Sequence, residues 1–421
     1  MQKRKSPGIA FVGGTVIDPS GSAQSSSTVL VEKSRITRVG SKEQVTVPSD
    51  FERIDASGMT IIPGLMDLHV HVCSVPGQGG AGDYASPDKV FTPNSYLALW
   101  GAYHATLMLE AGFTTIKDAW GLHRQTEILS VRRAIEAGIV KGPRILAAGY
   151  AGASGGTVLM RIPPEIELSD EWAADGPWEM RKRVRELMRD GYDWIKTINS
   201  GGRISGGQEE DVWYNNLTLE EMEAITDEAH TFGSKVMAHA SSRDSISLAI
   251  EGNADTVEHG WPLDQELIEG MIKKGIYLCP TISVYSERGF LRDGIDPALH
   301  NRAANQFENR MNSFRRAYQA GVKIIAGSDI APGLATMSIG QNVFEIEFMV
   351  RQGMKPIDAI QSATKVGAES LGMENQLGTI DEGKIADIVA IKGNPLEDIR
   401  RLESNLSYVM KGGEIVVSRA H

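Results

Sequence analysis

The sequence predicts an α/β protein. The expected architecture is a (β/α)8 barrel of the TIM type with a small β-sandwich domain built from both termini. Two observations carry this. The middle of the chain holds eight short apolar runs, separated mostly by helix-like patterns, the rhythm of an α/β barrel. Both ends instead alternate β-like runs with turn residues.

The elements follow in order. Residues 8–60 carry the β-like runs Ile9-Ala10-Phe11-Val12, Thr28-Val29-Leu30-Val31 and Ile36-Thr37-Arg38-Val39. The eight apolar runs lie at 61–70, 114–120, 144–149, 194–200, 235–240, 256–260, 277–282 and 323–329. Helical patterns occupy 96–110, 124–137, 178–189, 218–232, 242–251, 264–274, 302–320 and 341–351. The tail returns to β-like runs at 385–391 and 407–410, bounded by glycines and by Asn394-Pro395. The expected domains are therefore 1–60 and 375–421 for the two parts of the sandwich, and 61–374 for the barrel. The irregular stretch 150–177 is too long for a routine strand–helix link and reads as a lid over the active face.

Composition excludes several classes. With 421 residues, 41% hydrophobic and 23% charged, the chain is an ordinary globular one. Its 43 basic and 54 acidic residues, net -11, argue against nucleic acid or an anionic membrane as partner. No apolar run approaches the ~18 residues of a membrane span. Two cysteines, Cys73 and Cys279, suggest no disulfide framework. The start MQKRKSPGIAFVGG is basic but lacks the apolar core of a signal peptide, so a cytoplasmic protein is expected.

In such a barrel, catalytic groups stand at the C-terminal ends of strands. His69 and His71 end the first apolar run, Lys196 lies in the fourth, and His239, His259 and Asp329 end the fifth, sixth and eighth. Residues two apart on a strand face the same way, so His69 and His71 can share one metal ion. Imidazole and carboxylate ligands suit zinc or a similar divalent ion. A protonated lysine would repel it. Burial beside positive charge lowers the lysine pKa, and the neutral amine can take up carbon dioxide as a bridging carbamate. Singly, each residue has a blander reading; Asp329 alone could be a turn residue or a helix cap. Together they fit one face.

These stretches resemble the amidohydrolase superfamily. The resemblance runs through Ile62-Pro63-Gly64-Leu65-Met66-Asp67-Leu68-His69-Val70-His71, Glu110-Ala111-Gly112-Phe113-Thr114-Thr115-Ile116-Lys117-Asp118, Ile195-Lys196, Met237-Ala238-His239-Ala240, Val257-Glu258-His259-Gly260, Gly327-Ser328-Asp329 and the segment 378–387. It is most similar to the binuclear branch with a carboxylated lysine and a following Ser200-Gly201-Gly202 loop. That branch includes Xaa-Pro and Xaa-Arg dipeptidases, N-acyl amino acid hydrolases, ochratoxin-type amidases and phenylurea hydrolases. The resemblance implies two divalent metals, with zinc expected. His69, His71 and Asp329 would bind the first, His239 and His259 the second, and a Lys196 carbamate would bridge. It implies hydrolysis of a C–N bond in a small molecule by a bridging hydroxide. Asp329 would be the catalytic proton carrier, and a homo-oligomer is expected. A non-catalytic scaffold on the same fold is the alternative of another class; such relatives usually lose several ligands, and here all six positions are filled.

Two departures bear on substrate. Dipeptidases of this branch tend to carry histidine in a Gly-Gly-His turn and tyrosine two after the strand-five histidine. Here stand Gly155-Gly156-Thr157 and His239-Ala240-Ser241. A less charged amide, urea or carbamate becomes the expected substrate. Tyr150, Arg161 and Tyr285 are the candidates to take over the missing roles, and Gly201 and Gly202 would form a loop that lets substrate approach closely. Trp172, Trp178, Trp213 and Tyr214 are expected in loops on the active side, as a hydrophobic wall or as lid packing. Cys73 reads as a small buried residue, and His104, His123, His230 and His300 as structural or surface histidines.

Overall fold

The computed structural model describes residues 8–17, 21, 23–75, 92–120, 126–153, 173–200, 215–291, 297–330 and 337–419. The strands are β1 (Gly8–Ile17), β2 (Ala23–Glu32), β3 (Arg35–Ser41), β4 (Glu52–Asp55) and β5 (Met59–Pro63). Then come β6 (Leu65–Val70), β7 (Phe113–Asp118), β8 (Arg144–Tyr150), β9 (Trp194–Ile198), β10 (Lys235–Ala240), β11 (Thr256–His259) and β12 (Tyr277–Cys279). The chain closes with β13 (Ile388–Lys392), β14 (Leu406–Lys411) and β15 (Glu414–Ser418). The chain forms two compact units, one of Met1–Asp67, Thr106–Thr115 and Gly340–His421, the other of Leu68–Ala105 and Ile116–Ile339.

The first unit holds a mixed sheet in the order β15-β14-β13-β5-β1-β2-β3, with β4 also paired to β1. The sheet folds back on itself. Phe11 on β1 and Tyr408 on β14 are three strands apart, roughly 14 Å at ordinary strand spacing, yet their ring centres are 6.1 Å apart. A bridge from Arg35 to Ile385 ties the far edge to the segment before β13. The enclosed core, Phe11, Val29, Val31, Ile36, Ile61, Ile388 and Met410 among others, draws on both halves. The short strands β4 and β15 were not legible in the sequence pattern.

The apolar run 61–70, read as one strand, is two. Ile62 and Pro63 pair with β13. Gly64 then turns the chain, and β6 begins at Leu65. A side chain at Gly64 would meet the Thr114 hydroxyl at 2.1 Å, so only glycine allows this approach.

The second sheet runs β12-β11-β10-β9-β8-β7-β6. The pairings from β8 to β12 are parallel. The eighth apolar run is not a regular strand. Bridges Leu278↔Ile324 and Val70↔Ile330 nevertheless link it to both edges, and the ring of eight closes. The helical patterns became helices, the one before the eighth run reaching back to Pro297. Thr218 and Ser242 cap their helices through capping boxes, and Asp264 caps the next. Trp178, read both as the start of the helical pattern 178–189 and as a loop aromatic, lies in the first turn of the helix Pro177–Asp190 and is 82% exposed. Pro177 at the first helical position sets that start. Among the described residues, no helix is long and apolar enough to cross a membrane.

Candidate metal centre

Six residues selected at strand ends converge. The His69 and His71 rings are 5.4 Å apart, the His239 and His259 rings 4.5 Å, and His69 stands 5.3 Å from His259. Asp329 Oδ1 lies 3.1 Å from His71 Nε2 and 3.5 Å from His69 Nε2. Donor atoms of His69, His71 and Asp329 all lie within 4.8 Å of one another. Lys196 is buried in β9, in register with Tyr150 on one side and Met237 on the other. Its charge bears on His69, His239, His259 and Asp329.

Regular strand geometry cannot produce all of this. Successive strand residues point to opposite faces. Yet Glu258 and His259 both serve the site. His259 has φ 68 and Asp329 φ 53, left-handed values costly for non-glycine residues. Thr281 and Trp120, beside them, are also left-handed at φ 47 and 93. Departure from the strand conformation lets the His259 ring turn to the same centre as its neighbour.

Three imidazoles are oriented through Nδ1. His69 donates to Glu258 Oε2, His71 to the Trp120 carbonyl, and His259 meets the Thr281 hydroxyl at 2.7 Å. That leaves Nε2 of each for the centre, the usual arrangement around a metal-binding histidine. Glu258 also accepts from Thr256, and lies 3.8 Å from Lys117 Nζ. Lys117 is fully buried, 4.0 Å from the centre of the Trp194 ring. Asp118 accepts from the Val72 amide, and His104 Nδ1 meets the Val72 carbonyl, so the turn after His71 is braced from both sides. Sequence reasoning gave Glu258, Lys117, Asp118, Thr281 and Trp120 no role. The only available signal was charge inside apolar strands.

Electrostatics follow from crowding. Burial, then the Lys196 charge, drives His69 down to about 4 and His239 to about 3. His259 falls well below its usual range for the same first reason, with His239 next. These three are neutral imidazoles, the form that binds metal. Burial also lowers Lys196. Burial would raise Asp329, but His69, His71 and Lys196 together hold it below the usual carboxylate range. His71 rises because Asp329 outweighs burial.

The sequence pattern of the amidohydrolase family matches residues 60–416, and the chain belongs to that family. It is an enzyme, a metal-dependent hydrolase of C–N bonds. An ochratoxinase from Aspergillus niger is 29% identical over 432 residues, covering 96% of this chain and 85% of its own. The crystal structure of a Xaa-Pro dipeptidase with methionine bound in its active site is 32% identical. It superposes with a TM-score of 0.86 over 97% of this chain and 99% of that one. Molinate hydrolase is 26% identical, with a TM-score of 0.80 over 98% and 95% of the two chains.

The residues present suit the metals this family binds. His239 Nε2 is buried and finds no hydrogen-bond partner among the described residues, a costly state for a polar atom that a metal ion would relieve. Two imidazole nitrogens and a carboxylate oxygen meet across 3.1 and 3.5 Å, where a cation belongs.

Of the residues expected to touch substrate, Tyr150 is buried with its ring stacked 4.5 Å from that of Trp120. Tyr285 packs against Phe290. Arg161, Gly201 and Gly202, most of the lid, Trp172, Trp213, Tyr214 and His123 lie outside the described residues. His230 pairs with Asp255 at 2.9 Å, and Cys73 is buried.

Proposed function

We propose that the strand ends form a binuclear centre that hydrolyses the C–N bond of a small amide, urea or carbamate. The observation that carries this is the meeting of two imidazole pairs with one carboxylate and one buried lysine. In this reading residues 61–374 form the catalytic barrel, flanked by the sandwich parts 1–60 and 375–421. His69, His71 and Asp329 would hold one ion, His239 and His259 the other, with Lys196 as a carbamate between them. Zinc matches the imidazole-rich donor set. Family likeness supports a homo-oligomer, and a chain with only two cysteines in 421 residues fits a cytoplasmic setting.

Bound ions would supply an acidified water, its pKa brought toward ~7, and would polarise the scissile carbonyl. The chain's own residues do the rest. Asp329 takes the proton from the attacking water on its carboxylate and hands it to the leaving nitrogen. Glu258, the Trp120 carbonyl and Thr281 keep His69, His71 and His259 in fixed tautomers. Lys117 neutralises Glu258, so the pair stays buried without net charge.

The test is turnover by the metal-assayed protein on dipeptides, N-acyl amino acids, ochratoxin-like amides, phenylureas and carbamates. Hydrolysis of at least one class, lost on chelation, is expected. No hydrolysis of any class by protein that holds metal sinks the reading. The dipeptidase or N-acyl amino acid hydrolase is the second reading, favoured by the likeness to the Xaa-Pro dipeptidase and the ochratoxinase.

A further inference from the structure

Trp120 stands just past the C-terminal end of β7. Both of its backbone polar groups are matched. The amide donates to the Asp118 carboxylate, and the carbonyl accepts from His71 Nδ1. Its φ of 93 is costly for so bulky a residue. Its indole lies on the inner face of the barrel. Tyr150 on β8 is in register with Lys196 on β9, so their side chains share a face. Ile198, two after Lys196, shares it too. The Trp120 ring stacks on that of Tyr150, centres 4.5 Å apart and planes at 28°, and clusters with Ile198. It is thus laid against the two inward side chains that flank Lys196.

One polar atom of Trp120 is left over. Nε1 is buried and finds no hydrogen-bond partner among the described residues. Such a donor is costly and uncommon in a folded chain. A molecule arriving from solvent finds almost no open surface at Nε1. The acceptor is therefore best formed within the fold. A lysine ammonium beside it offers three donors and no acceptor.

We propose that Trp120 is a positioning residue for Lys196: its indole N–H donates to one oxygen of the Lys196 carbamate. This rests on the binuclear reading above and adds to it the group that fixes the bridge from the protein side.

The chemistry balances. The lone pair of neutral Lys196 Nζ bonds to the carbon of carbon dioxide, one C=O pair moves onto oxygen, and Nζ releases one proton to solvent. The product, –NH–COO⁻, carries two oxygens, each with lone pairs on two sides. One pair on each serves the bridge, and a second pair on one oxygen accepts from Trp120. A hydrogen bond to an anionic oxygen is about twice as strong as one between neutral groups. It also fixes the plane of the carbamate. The left-handed turn then has a use: one residue holds the His71 ring with its carbonyl and the bridge with its indole.

The experiment follows bicarbonate, the source of carbon dioxide. The full chain, as wild type and as Trp120→Phe, is stripped of metal by chelation in buffer free of carbon dioxide. It is reloaded with zinc at graded bicarbonate, and bound zinc is counted. Phenylalanine keeps the stack on Tyr150 and removes the N–H. Trp120→Phe should need at least about 10-fold more bicarbonate for half-loading, and excess bicarbonate should restore full loading. A second measurement needs only folded wild type. The chain has seven tryptophans. With isotope-labelled tryptophan and labelled bicarbonate, the Trp120 indole N–H resonance should shift as the carbamate carbon signal appears. Equal or lower bicarbonate demand in Trp120→Phe overturns the proposal, as does a loading loss that excess bicarbonate does not rescue. An indole resonance that stays in place while the carbamate signal appears overturns it too. The binuclear reading survives each of these. Zinc loading of wild type that ignores bicarbonate, with no carbamate signal, removes the carbamate and this proposal together.

Discussion

The sheet built from the termini and the ring of eight segments treat buried groups in opposite ways. The terminal sheet encloses an apolar core, Phe11, Val29, Val31, Ile36, Ile61, Ile388 and Met410 among others. Among the described residues, its non-glycine residues with left-handed backbone are Ser26, within β2, and Lys33, in the turn after it. The ring instead buries His69, Lys117, Lys196, Glu258, His259 and Asp329. There the left-handed residues include two proposed metal ligands and two of the groups that orient ligands. Strain and buried charge are thus concentrated where chemistry is proposed, as expected when a site is built against stability. The contrast teaches which changes should cost activity and which should cost folding.

The largest effect is expected at Asp329. Asp329→Asn should keep much of the metal and lower kcat by about 10²–10⁴-fold, the range for losing a proton carrier. Unchanged kcat would remove its role. In the terminal sheet, Phe11→Ala should cost about 3–5 kcal/mol of stability, read by denaturant midpoint, with kcat per folded molecule preserved. A drop in kcat there without loss of folding breaks the contrast.

A smaller effect tests the support around His69. Glu258→Gln weakens the hold on Nδ1 and leaves Lys117 less well paired. Metal affinity, measured by chelator competition, should fall about 10–100-fold. Equal affinity would make the Glu258 contact incidental to the centre.

The smallest concerns Glu127, whose carboxyl burial pushes up to about 7. Its folded pKa lies above the ordinary carboxylate value. The unfolded chain therefore releases this proton first, and stability falls as pH rises from about 4.5 through about 7. Glu127→Gln removes that loss. Its midpoint in urea should match wild type near about pH 4 and exceed it near about pH 8. A gain that does not change with pH would assign the effect to packing.

Much of this division was legible in the sequence. His69 and His71 could be read because strand alternation puts residues two apart on one face. The other four ligand candidates could be read because barrel chemistry gathers at strand ends. Glu258 could not. Strand alternation makes it and His259 exclusive, and only the left-handed backbone at His259 lifts that restriction. Gly64 looked like part of one apolar strand, because its role depends on Thr114, distant in sequence.

The most direct test of the central claim is the divalent metal content of the purified protein, beside that of Lys196→Met. The account predicts two ions per chain in wild type and clear loss in the variant, where the bridging group cannot form. Hydrolysis that persists in protein stripped of metal, or a variant that keeps both ions, would contradict it.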